Sequence, residues 1–307
     1  MKKAGELIPA QTRAVRLSLI CGCLFVCLLT NGAALANASI PIKLIRGHLV
    51  VITVEVNGAG PFDFLLDTGT NTTVIHRELA QKLALRPIDR IVLVTAAGES
   101  VVPRSRLDRL SIGSATAANL EVLISDLREL RAQHPGISGI VGQNFLAQFN
   151  YLLSYRDRRL EFETGREFDG RMRGARLPVE CDEGRVLVTT RLTSRDERPL
   201  RLALDSAAPH LILFQPLPDN CAPGSDLRAH SKVGIATTAG SRTVSSASLN
   251  QFEIGEERFA DLQVILIPEQ ASRSGRIENG LLPTSLFHSL YVNHQQKYVI
   301  FNPAPLR

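Results

Sequence analysis

The sequence predicts an all-β protein built as two tandem lobes of one architecture, related by a pseudo-two-fold axis and carrying only short helices. Two observations support that expectation. Aliphatic residues dominate the 307-residue chain, and its apolar runs are short and broken by Gly, Pro, Asn and Asp at strand-like spacing. The second observation is an internal repeat. Residues 107–124 lie over residues 249–266 without a gap, pairing Leu107 with Leu249, Ile112 with Ile254, Gly113 with Gly255, Leu120 with Leu262 and Val122 with Val264. Just upstream, TAAG (Thr95, Ala96, Ala97, Gly98) and TTAG (Thr237, Thr238, Ala239, Gly240) fall in the same register.

Taken in chain order, the N-terminus differs from the rest. Lys2, Lys3, Arg13 and Arg16 precede the apolar run LSLICGCLFVCLLT, and Ala34-Leu35-Ala36 fits a small-x-small cleavage site. Residues 1–36 are therefore read as an export signal, with a periplasmic or secreted mature protein. The alternative is an uncleaved anchor helix, because Leu17 to Ala36 is just long enough to span a bilayer. The net charge of +5 resides mostly in this segment, so the remainder offers no basic surface for nucleic acid, and no membrane contact is expected after cleavage. Cys21, Cys23 and Cys27 leave with the signal, whereas Cys181 and Cys221 remain and in an oxidising compartment are expected to form a disulfide.

The first lobe spans residues 37–165. It opens with the strand pair around GHLVVITVEVN, reaches an acid in FDFLLDTGTNTTVIH, continues through HRELAQKLAL as a helix with Leu79 and Leu83 on one face, and closes on RRLEFE. Residues 166–176 are rich in Gly and charge and read as a linker. The second lobe spans residues 177–307 and repeats the pattern: GRVLVTTRLTS, then LRLALDSAAPHLILF, then GLLPTSLFHSL and KYVIFN. There QPLPDNCAPG replaces the helix, since Pro216 and Pro218 oppose one.

Laid over each other, the two acid segments place Asp205 opposite Asp67. Two carboxylates that meet across a pseudo-two-fold axis cannot both ionise at close range, so they share a proton and one acts as base while the other acts as acid. That equipment activates a water against an amide carbonyl. Hydroxyl residues beside the acids, Thr68, Thr70 and Ser206, can bridge the turns, and Gly69 permits a tight turn. The seven histidines have no metal-ligand spacing, and neither a GxSxG elbow, a P-loop nor a CxxC pair is present, so no metal or cofactor is expected.

FLLDTGTNTTVI, then TAAG, then Ile140-Val141-Gly142-Gln143-Asn144 before FLAQ resembles the retropepsin-like aspartic proteases and their bilobal pepsin-like relatives. The resemblance implies acid-protease β-barrel lobes, with Asp67 and Asp205 as a catalytic dyad. It also implies that Thr68 and Ser206 tie the loops together, and that the TAAG and TTAG hairpins are flaps over a peptide or protein substrate. Retroviral members are homodimers of one lobe, so this chain is expected to be a monomer that forms a covalent pseudo-dimer. The second lobe departs from the pattern at Ala207, Pro283 and Ser285, which stand where Gly69, Gly142 and Asn144 stand in the first. Ala207 costs geometry if its position needs positive φ or close backbone approach. The expected activity is an exported aspartic endopeptidase, with a catalytically weak peptide-binding module as the alternative.

Overall fold

A computed structural model describes residues 39–94, 99–163, 172–192, 199–215, 227–237, 240–268 and 277–305. The segments read as signal peptide, the hairpin tips Thr95, Ala96, Ala97, Gly98, Thr238 and Ala239, and Cys221 lie outside them. Cys181 is exposed on strand Leu177–Asp182.

The fold is all-β, as expected, with three short α-helices among the described residues, at Arg77–Lys82, Arg128–Gln133 and Gln143–Leu146. An eight-stranded sheet holds the first half of the chain. Its order is Lys43–Ile45, Leu49–Val56, Ala59–Leu66, Ile137–Val141, Thr73–His76, Ala115–Ser125, Glu99–Ile112 and Asp89–Val94. Runs such as LVVITVEV suit a pleated surface, because β-branched side chains pack well there, and its buried positions fall mainly on Val and Ile.

The second half repeats this topology. In the first, Ala59–Leu66 runs parallel to Ile137–Val141 with Leu66 opposite Val141; in the second, Leu200–Asp205 runs parallel to Gly280–Pro283 with Asp205 opposite Pro283. Beside each pair the next strand is antiparallel, Thr73–His76 in one half and Leu211–Gln215 in the other. Two glycines permit these crossings. A Cβ at Gly139 would collide with the Phe64 ring and Val74 O, and one at Gly280 with Ile212 O, so the strands close up only over bare backbone.

The halves also share a sheet. In the thirteen-stranded sheet, Tyr151–Ser154 of the first half pairs with Ser289–Asn293 of the second, Leu153 opposite Leu290. Ser39–Pro41 and Arg159–Phe162 extend it on one side, and Tyr298–Phe301 and Leu177–Asp182 on the other. One continuous apolar core joins Val50, Phe64, Phe145 and Phe162 to Leu202, Phe252, Phe287 and Val299. Met172–Arg173 forms a small separate pairing with Ala304–Pro305.

Candidate active site

Each acid sits at the C-terminal end of a buried strand, where the chain must turn. Asp67 follows Ala59–Leu66, and its N–H donates to Val141 O at 3.0 Å. Asp205 ends Leu200–Asp205 and is buried at 9% exposure. An aliphatic strand thus delivers each carboxyl to the middle of the molecule, and the turn after it supplies backbone donors. Gly69 N donates to Asp67 Oδ1 at 2.8 Å, while Ala207 N and Ala208 N both donate to Asp205 Oδ1, at 2.8 and 2.9 Å.

Four hydrogen bonds cross between the two turns. Thr68 Oγ1 donates to Leu204 O at 3.0 Å and accepts from Ser206 N at 3.0 Å. Reciprocally, Ser206 Oγ donates to Leu66 O at 2.7 Å and accepts from Thr68 N at 3.0 Å. Both hydroxyl residues are buried, at 0% and 1% exposure, so water does not compete and each bond locks the loops. The result brings the acids together: a Cβ added at Gly69 would stand 2.6 Å from Asp205 Cγ and 2.7 Å from Oδ2.

Burial and the closeness of the two turns govern the electrostatics. Burial, then the Asp205 carboxylate, pushes the Asp67 pKa up to about 8, against the opposing pull of the Gly69 and Thr70 amides. Burial raises Asp205 as well, while the Ala207 and Ala208 amides and the charge of His48 draw it down. Both carboxyls therefore resist ionisation above the ordinary carboxylate range.

The loop after Gly142 braces the first turn. Gln143 N donates to Thr70 O at 2.9 Å, and Gln143 Nε2 to Thr68 O at 2.8 Å. Asn144 Oδ1 accepts from Thr73 N and Thr73 Oγ1, at 2.9 and 2.8 Å, and its Nδ2 donates to Glu121 O at 2.6 Å. Ser285 is too short to make that three-way brace. The second half is held instead by Tyr155, whose Oη lies 2.6 Å from Thr284 Oγ1 across the shared sheet. Burial pushes the Tyr155 hydroxyl pKa up, so it stays neutral there.

Ala207 behaves differently from the expectation that it costs geometry through positive φ. Neither residue 69 nor residue 207 has positive φ. The demand for glycine at 69 comes from the Asp205 carboxyl lying over it, while Ala207 packs against an apolar cluster of the first half that includes Val51, Leu65 and Ile140. Sequence reasoning also missed Tyr155, which lies outside the repeat's motifs, and His48, whose only signal is its place beside Gly47.

With the geometry in hand, residues 52–145 match the family model described as aspartyl protease. Over that stretch the chain is similar to the aspartyl protease family. The matched stretch holds Asp67, its turn and the Gly142-Gln143-Asn144 brace. No curated protein matches the chain. Among solved structures, a retropepsin-like aspartic protease from Rickettsia conorii aligns at 21% identity, covering 41% of this chain and 89% of that one, with a TM-score of 0.30. The matched stretch ends short of Asp205, which is placed opposite Asp67 by the internal repeat.

The hairpins expected to act as flaps are partly described. Asp89–Val94 pairs with Glu99–Ile112, Val94 opposite Glu99, and Leu227–Thr237 pairs with Gly240–Ile254, Thr237 opposite Gly240. The arms of both hairpins are therefore paired up to the residues that flank the tips.

Proposed function

We propose that the protein is an aspartic-type endopeptidase in which Asp67 and Asp205 share one proton and hydrolyse peptide bonds in a cleft between the two halves. The observation that supports this reading is the crossed set of Thr68 and Ser206 hydrogen bonds, which ties the two acid turns together. The ionised member takes a proton from water as the oxygen attacks the amide carbonyl, and the protonated member donates to the carbonyl oxygen. Collapse of the tetrahedral intermediate then transfers a proton to the leaving amine and regenerates the pair. The halves act as lobes spanning residues 37–165 and 177–307, and the mature protein works as a monomer after export and removal of residues 1–36.

The test is cleavage of a chemically unfolded protein by the purified mature chain from acid to neutral pH, beside Asp67→Asn and Asp205→Asn. Both variants are expected to lose about 10³-fold or more in rate. Full activity in either one removes that residue from the mechanism.

A further inference from the structure

We propose that the outer edge of the first hairpin is a second docking site, which takes an extended apolar segment of a protein substrate, bearing a carboxylate, by strand addition. The proposal rests on the proteolytic reading for its purpose, but its binding test does not depend on it. Three large hydrophobic side chains are strongly exposed among the described residues, Ile88 at 57%, Val92 at 54% and Val101 at 57%. All three lie on this hairpin or its approach. Val92 and Val101 are directly opposed across the strands, so their side chains stand together on one face.

Beside them runs a free edge. Asp89–Val94 is the last strand of the eight-stranded sheet, and no described strand pairs with its outer side. Native edges are usually blunted by charge, proline or a bulge; this one carries Asp89 and Arg90 at its start and presents the exposed Val92 beyond them. Next to the edge opens a cavity of about 750 Å³ between the hairpin base, helix Arg77–Lys82 and the start of helix Arg128–Gln133. Apolar Val102, Pro103 and Leu127 line its floor.

The charges around the cavity select the ligand. Arg77 is committed to Asp126 at 2.8 Å. Arg90 donates to Val101 O at 3.2 Å, and neither it nor Arg128 has an acidic partner among the described residues. Glu129 is the other acid on the lining, so the arginines leave the rim positive. An extended backbone satisfies the edge, alternate apolar side chains cover Val92 and Val101, and a carboxylate meets Arg90 and Arg128. Helix Arg128–Gln133 also touches the second hairpin, so the site adjoins both hairpins.

The binding test uses the Asp67→Asn/Asp205→Asn protein, which cannot process its ligand, and a fluorescein-labelled peptide of alternating Val and Thr closed by Glu. Saturable binding is expected, weakened about tenfold by Val92→Glu/Val101→Glu, the scale of losing one interface anchor, and several-fold by Arg128→Ala. Both valines are exposed, and an unchanged melting curve confirms that the variant folds. No binding, binding indifferent to these changes, or binding displaced by a short peptide that fills the cleft overturns the proposal. So does a sedimentation experiment in which the edge valines drive self-association, since the occupant is then a second copy. In the active protein, Val92→Glu/Val101→Glu is expected to raise KM for an unfolded protein several-fold more than KM for a short peptide that fills only the cleft; an equal change for both overturns the proposal. An inactive wild type sinks the proteolytic reading alone and leaves the peptide measurement to decide the docking site.

Discussion

Asp67 and Asp205 occupy repeated turns but unequal surroundings, and their titration follows from that. The Asp67 pKa is pushed up to about 8 by burial and by its neighbour, so the folded chain binds that proton more tightly than the unfolded chain does. Stability is therefore expected to fall as pH rises from the ordinary carboxylate range, 3.8, towards about 8, with the slope removed in Asp67→Asn; urea titrations across that interval measure it. Peptidase rates are expected to decline above about pH 8, once the shared proton is lost. Gly69→Ala drives a methyl into the Asp205 carboxyl, so a loss of about 10²-fold in kcat/KM and about 1–3 kcal/mol in stability is expected. Ala207→Gly, by contrast, removes a packed methyl and is expected to cost about 0.5–1 kcal/mol without any gain in rate. The pairing of the acids was legible from the repeat alone. The reason for glycine at 69 was not, because a close approach between segments more than a hundred residues apart leaves no local mark.

At the scale of elements, the two turns behave as one unit because Thr68 and Ser206 each donate and accept across the interface. Thr68→Val and Ser206→Ala each orphan buried backbone groups and are expected to destabilise by about 1–3 kcal/mol. The double variant is expected to lose less than the sum of the singles, since both dismantle the same network; a denaturation double-mutant cycle measures the difference. Strand positions were readable from apolar runs and Gly punctuation, and the helix after His76 from its Leu spacing. The helix Arg128–Gln133 was not readable, having no buried residue to set a period. Nor was the bond from Tyr155 to Thr284, which takes over the task that Asn144 performs in the first half.

For the whole molecule, the shared sheet matters most. Tyr151–Ser154 and Ser289–Asn293 are partners, and a single apolar core runs beneath both halves. The mature chain is expected to unfold in one calorimetric transition, and residues 37–165 expressed alone are expected to aggregate through the unpaired Tyr151–Ser154 strand. The doubling of the fold was visible in sequence because equivalent strands carry equivalent patterns. The stitching of the halves through their terminal strands was not, since strand pairing over such separations depends on register in space.

The inequality of the two acid turns has a consequence for direction. Where both turns are identical by symmetry, an extended chain laid over them meets the same surroundings whichever way it runs. Here one side offers bare glycine at 69 and the other a methyl at 207. On the proposed reading, N-to-C and C-to-N placements of a bound peptide are then different complexes with different energies.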